Sequence, residues 1–323
     1  MADHHERVAT TKSSIAVVVP SYNHAKFVGS CLRSIFRQSL APSKLLVIDD
    51  GSTDDSPQVI ESSLKDCPFA CELIVRNNRG LPATLNQGLE STDGEYFAYL
   101  GSDDVWLEDF LAARLTLLQD RPSAVLGYGH AYFIDDQNRV VDCTADWAHY
   151  KDGDVKSMLL KTQAPMSPTV MYVRKHLALH RWNEAARLED YELYLKLSLE
   201  GEFAFDPNVL SAWRQHGRNT SWNQDMMLDE HLTALRRVAP GFGLNDQDLD
   251  KLITAIRFSR AEDFLRVGEK KRALQLISEN LSAPERSRLL KMLRRFIIPY
   301  PAVSWWQRRK RNKATARYGR LDV

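Results

Sequence analysis

A chain of 323 residues with 26% charged and 44% hydrophobic side chains has the make-up of a folded globular protein, which excludes disorder, collagen-like repeats and a multi-span membrane protein. The length suits one large domain plus an appendage. The formal net charge of +1 hides a split, because residues 285–323 hold twelve Lys/Arg against Glu285 and Asp322, leaving 31 basic and 40 acidic residues in 1–284. An acidic body with a basic end points to a partner for that end.

Residues 1–14 lack the apolar run of a signal peptide, so Cys31, Cys67, Cys71 and Cys143 are expected as thiols in a reducing cytoplasm. Cys67 and Cys71 have no second Cys/His pair nearby to complete a zinc site.

The short β-branched run at 15–20 reads as a strand buried on both faces of a parallel sheet. Residues 27–38 place Val28, Cys31, Leu32, Ile35 and Phe36 at helical spacing, and 45–48 is a second buried strand. The alternation continues with helices over 54–65 and 81–90 and strands at 71–75 and 95–100. It predicts a doubly wound, Rossmann-like α/β sheet with its ligand beyond the carboxyl ends of the strands. Further strands are expected at 125–132 and 170–172, and helices at 105–118, 191–200, 225–238, 246–267 and 269–280. The predicted organisation is an extension over 1–13, an α/β domain over 14–223, a helical region over 224–284 and a basic aromatic tail over 285–323.

Three polar segments, two of them acidic, fall at strand ends on one edge of this sheet. Pro20-Ser-Tyr-Asn23 ends the first strand and Asp49-Asp-Gly-Ser-Thr-Asp-Asp-Ser56 the second. A carboxylate there can accept the imide N–H of uracil and a Tyr ring can stack on the base, although a turn and a capped helix explain the same residues. Gly101-Ser-Asp-Asp104 ends a third strand. Its adjacent carboxylates offer hard oxygen ligands for Mg²⁺ or Mn²⁺ beside a diphosphate, or cap the following helix. Glu189-Asp190 opens a helical segment, where acids also suit the helix dipole.

The ordered set VVVPSYN, VIDDGSTDDS, Asn78 to Gly88, GEYFAYLGSDD and LEDYELYLKL resembles the family 2 glycosyltransferases of GT-A fold, over residues 14 to 222. That resemblance implies an inverting, metal-dependent transfer of a sugar from a nucleotide-sugar donor, here most readily a UDP-sugar. Pro20 and Tyr22 would border the uracil, and Asp50 would bind its N3–H. Ser21, Asn86, Glu189 and Arg214 would add donor contacts, and Asp103 would reach the ribose or the metal shell. Asp104 would ligate an Mn or Mg ion, and Asp190 would be the general base. His216, within 213–221, would complete the metal site, or Arg214 and Arg218 would neutralise the diphosphate. Many relatives carry Asp where this chain has Gly101. The implied acceptor is a glycan or lipid-linked saccharide in surface polysaccharide synthesis. The alternative is a catalytically silent GT-A module that binds nucleotide-sugar or scaffolds a synthesis complex.

The tail interleaves Arg/Lys with Phe296, Ile297, Ile298, Tyr300, Trp305 and Trp306. Its apolar stretch, 296–306, holds two prolines and is too short to span a bilayer. Paired tryptophans between cationic clusters suit an anionic membrane surface, contacted through residues 285–320. The chain is therefore expected at the cytoplasmic face of the membrane, as a peripheral protein. No nucleic acid partner is expected.

Overall fold

The computed structural model describes residues 14–217, 223–283 and 287–323. β1 (Ile15–Ser21), β2 (Lys44–Asp49), β3 (Cys71–Val75) and β4 (Tyr96–Tyr99) alternate with α1 (Val28–Phe36), α2 (Ser56–Leu64) and α3 (Leu81–Glu90). The four strands pair in parallel, in the order β3-β2-β1-β4. β1 is buried along its whole length, and its residues divide by pleat. Ala16 and Val18 join one apolar cluster, whereas Ile15, Val17 and Val19 join another. A strand apolar on both faces needs cover on both faces, and this makes the sheet doubly wound.

Beyond β4 the sheet turns mixed. β5 (Val105–Trp106), β6 (Ala124–Ile134), β7 (Val140–Cys143), β8 (Met171–Val173) and β9 (Glu202–Arg214) complete nine strands among the described residues. Between them in sequence fall α4 (Phe110–Gln119), α5 (Lys156–Leu159), α6 (Arg174–His180) and α7 (Glu189–Glu200). β8 runs antiparallel to β4 and β6, and β6 runs parallel to β9. β9 therefore points the same way as β4 and brings its carboxyl end to the edge where β1, β2 and β4 end.

Two segments depart from the sequence reading. The helix expected over 105–118 starts at Phe110, because Val105 and Trp106 pair with Ala212 and Ser211 as β5. The thirteen-residue β9 was not anticipated, since Asp206-Pro207-Asn208 reads as a turn. The strand accommodates the proline by bulging: Gly129 pairs with Asp206 and His130 with Val209, leaving Pro207 outside the ladder.

α8 (Gln224–Val238), α9 (Asp246–Arg266), α10 (Lys270–Glu279), α11 (Ser287–Ile297) and α12 (Tyr300–Tyr318) follow the sheet. Leu232, Ile256, Phe264 and Leu276 share an apolar cluster with Val18 of β1, so the helical region is continuous with the sheet's core. The residues after α12 also rejoin the body rather than hanging free. Tyr318, Leu321 and Val323 pack on Val105, Ile134, Val140 and Ala212, and the Leu321 amide donates to the Asn138 carbonyl at 2.9 Å. Opposite charge reinforces the return, through Lys310–Asp142 at 2.7 Å and Arg317–Asp146 at 2.9 Å. The two prolines of the tail mark a helix start, Pro299 at the N-cap and Pro301 in the first turn of α12.

One buried ion pair ties α4 to β9. Arg114, fully buried, reaches Asp206 at 2.6 Å and the Thr169 carbonyl at 2.9 Å. Gly129 makes room for it, since a Cβ there would lie 2.6 Å from the Asp206 carbonyl oxygen and press on the guanidinium. Gly129→Ala is expected to cost about 1–3 kcal/mol by overpacking. It should appear as a lower urea midpoint at unchanged slope; a wild-type midpoint would show the cradle to be loose.

Candidate active site

The carboxyl ends of β1, β2, β4 and β9 and the start of α7 surround a cleft of about 1090 Å³. Pro20, Ser21, Tyr22, Asp50, Asp103, Asp104, Glu189, Asp190 and His216 all line it. Residues distant in the chain converge there because parallel strands end on one edge.

Much of the second motif is internal bracing. The Asp49 carboxylate accepts from the Ser52 amide and hydroxyl at 2.8 and 2.6 Å. Gly51 has φ +79°, and a Cβ there would lie 2.7 Å from the Asn78 nitrogen, so only glycine allows this approach. Asp54 accepts from the Ser56 and Ala25 amides, joining the helix start to the loop after β1. Asp50 faces the cleft while accepting from the Arg79 and Gly80 amides at 3.0 and 2.7 Å and pairing with Arg76 at 2.8 Å. Its Oδ2, bonded to Gly80 alone among these, keeps acceptor capacity for a ligand N–H. Tyr22 is 47% exposed, leaving its ring accessible for stacking.

The adjacent acids after β4 part company. Asp103 Oδ2 lies 2.8 Å from His216 Nε2, and its Oδ1 lies 3.7 Å from His24 Nδ1. Burial pushes the Asp103 pKa up, but the His216 hydrogen bond and the two imidazoles outweigh it and hold the carboxyl below its ordinary value. Asp104, expected as the metal ligand, lines the cleft and accepts the Arg214 backbone N–H on Oδ1 at 2.8 Å. Burial, then the Asp103 charge, drives its pKa well above the usual range.

His24, Asp103 and His216 each bring one donor atom to within 4.8 Å of the others, a spacing that fits a divalent cation. Two imidazoles with one carboxylate suit a transition ion such as Mn²⁺ better than Mg²⁺, which prefers oxygen. His24 was missed in the sequence reading although it directly follows Pro20-Ser-Tyr-Asn23, at the same strand end.

Arg214 and Asn86 do not line the cleft. Arg214 is 1% exposed. Its guanidinium donates to the carbonyls of Asp103 and Asp135 at 2.7 and 2.8 Å and to Asn138 Oδ1 at 2.7 Å, holding the third strand-end loop from behind. Asn86 donates to the Trp182 carbonyl and Glu184 and accepts the Trp182 amide, so it fixes the segment leading to α7. Arg218 lies outside the described residues. The cleft is lined instead by Arg79, inside the Asn78 to Gly88 motif, and by Arg187, just before Leu188, neither of which the sequence reading singled out.

Asp190, in the first turn of α7, is buried at the cleft wall, and the Tyr99 hydroxyl donates to its Oδ1 at 2.5 Å. Burial raises the Asp190 pKa, while the Tyr99 hydrogen bond and the nearby Trp182 and Ser167 side chains oppose the rise. Glu189 is raised further, by burial and then by the Asp190 charge. Tyr99 was also missed, because within β4 it reads only as core.

A family profile described as Glycosyl transferase family 2 matches residues 16–178. An uncharacterized glycosyltransferase of Nostoc is 29% identical over 46% of each chain. The chondroitin synthase of Escherichia coli is 24% identical over 71% of this chain and 33% of its own length. TuaG of Bacillus subtilis, a putative teichuronic acid biosynthesis glycosyltransferase, is 23% identical over 56% of this chain and 80% of its own length. The chain thus spans less than half the length of the first two. Among solved structures, Staphylococcus aureus TarS residues 1–349 in complex with UDP-GlcNAc gives a TM-score of 0.60 at 17% identity, covering 96% of this chain and 93% of that one. The mannosyltransferase of Pyrobaculum calidifontis in complex with GDP-Man and Mn²⁺ gives 0.61 at 17% identity, covering 96% and 88%. The shared fold, together with a profile match over half the sequence, makes the chain a member of glycosyl transferase family 2 built on the GT-A fold.

Proposed function

We propose that the cleft transfers a sugar from a nucleotide-sugar donor, most readily a UDP-sugar, to a hydroxyl of a glycan or lipid-linked saccharide, with inversion at the anomeric carbon. The carrying observation is that Asp50, Asp103, His216 and Asp190 line one cleft. Support for the donor class comes from the UDP-GlcNAc and GDP-Man bound by TarS and the mannosyltransferase. Support for a polysaccharide product comes from the names of chondroitin synthase and TuaG. The four free cysteines are compatible with a reducing compartment.

In this reading Tyr22 stacks on the base and Asp50 accepts its imide N–H. His24, Asp103 and His216 would hold a divalent cation, whose charge would offset that gathering on the departing diphosphate. Arg79 and Arg187, rather than Arg214, supply further positive charge to the diphosphate. Asp190 takes the acceptor hydroxyl's proton as that oxygen attacks the face opposite the leaving group. One carboxylate suffices for a single displacement, and a base with a pKa raised toward neutrality is matched to the task. Tyr99 positions it.

Three outcomes test these roles. Asp190→Asn is expected to lower donor turnover about 10²–10⁴-fold, within the range of general-base catalysis, while nucleotide affinity by calorimetry stays unchanged. Wild-type turnover in that variant would remove Asp190 as the base, and no turnover in the wild type across a donor panel would favour the silent module. Tyr99→Phe deletes a hydrogen bond that favours the ionised carboxylate, so the Asp190 pKa should rise. The acid limb of the kcat/KM profile should then move to higher pH; an unmoved limb would separate Tyr99 from the base. His24→Ala and His216→Ala should each weaken Mn²⁺ binding, read by electron paramagnetic resonance, by about tenfold or more. Unchanged affinity in both would rule out the imidazole pair as ligands.

A further inference from the structure

The joint between α11 and α12 exposes large apolar side chains: Leu290 69%, Leu293 45%, Ile297 83%, Tyr300 48%, Trp305 50% and Trp306 66%. At about 100° per residue, Leu290, Leu293 and Ile297 fall within about 60° of one another on α11. The adjoining arc, Leu289, Met292 and Phe296, packs on the body. The apolar stripe of α11 is therefore twice as wide as the protein uses, and its outer half has no cover among the described residues. α12 has a protein-facing side that carries Gln307, Lys310, Ala314 and Tyr318, at helical spacing. Its opposite side presents Trp305, Arg309 and Lys313. Arg309 lies over the Trp305 ring at 5.3 Å, and Arg308, Arg309 and Lys313 form no ion pair among the described residues, unlike Lys310 and Arg317.

We infer that this corner is a docking surface for an anionic lipid bilayer. Aliphatic and indole groups ringed by unpaired guanidinium and ammonium groups match the headgroup boundary, where the apolar tips leave water and the cations meet lipid phosphates. A second copy of the chain fits less well, because pairing this patch with itself would bring two like-charged clusters of Arg308, Arg309 and Lys313 together. No described helix is long and apolar enough to cross a membrane, so contact here is lateral.

The surface is held firmly enough to orient what it carries. Lys270 Nζ donates to the Phe296 and Ile298 carbonyls at 2.7 and 3.0 Å, closing the end of α11. Gly268, at φ +87°, lets the Tyr300 ring approach to where a Cβ would lie 2.7 Å from it. Arg311 bonds Gln215, the neighbour of His216 in the cleft. Arg311 lies six positions beyond Trp305, a span of about 9 Å along a helix. The bilayer contact and the cleft mouth are thus joined by one rigid rod, and docking holds the cleft beside the surface where a lipid-linked acceptor lies.

This inference goes beyond the transfer reaction and is tested without it. Full-length protein is floated with vesicles of phosphatidylglycerol and phosphatidylcholine, and with phosphatidylcholine alone. Binding is expected only with the anionic vesicles, and should weaken as salt rises. The double variant Trp305→Ala/Trp306→Ala and the double variant Arg308→Gln/Arg309→Gln should each lower binding at least tenfold with unchanged circular dichroism and melting temperature. Asp190→Asn should bind as wild type does, so a failed catalytic reading leaves this result intact. Recovery of wild type in the unbound fraction, binding unaffected by both double variants, or a dimer in light scattering that the tryptophan variant dissolves would each overturn the proposal.

Discussion

Two adjacent carboxylates at a buried strand end repel each other, and the structure around the cleft is organised by how Asp103 and Asp104 are separated. Asp104 turns toward the Arg214 amide, and Asp103 turns toward His24 and His216. That division requires β9 to end beside the loop that follows β4, which in turn requires the thirteen-residue strand to run past Pro207 by bulging. It also fixes Arg214 as a buried brace between the loops at 103 and 135–138. Without Arg214 the third strand-end loop would lose its backing, and His216, two residues on, would lose its place against Asp103.

The parallel half of the sheet was legible because burial on both faces leaves uninterrupted β-branched runs, as at 15–20 and 45–48. Helix boundaries held where apolar spacing was regular, as in α8, α9 and α10. β9 was hidden because a bulged strand carries turn residues, and β5 because two residues give no period. At the site, acidic strand ends could be read from the chain, but which acid does what could not. Asp104 and Asp103 are indistinguishable as letters and differ through partners distant in the chain, Arg214 for the one and His24 and His216 for the other. Arg214 drew attention as a cation near a diphosphate motif, yet its carbonyl partners come from folding alone. Tyr99 looks like any buried aromatic until α7 brings Asp190 against its hydroxyl.

The charge asymmetry of the sequence has a structural counterpart on two levels. Part of the basic end is spent internally, where Lys310 and Arg317 meet Asp142 and Asp146 and pull α12 back onto the sheet. Arg309 and Lys313, with Trp305 and Trp306, are exposed away from that contact on the same helix. One helix therefore anchors to the acidic body on one face and offers cationic and indole groups on the other.

The chemistry assigned to Asp190 has a stereochemical signature independent of the acceptor. With UDP-GlcNAc as donor and water as acceptor, proton NMR in the first minutes reports the anomer released before it equilibrates. A single displacement driven by one carboxylate should release the β-anomer from this α-linked donor. Initial release of the α-anomer would mean retention, and would contradict a cleft built around one general base.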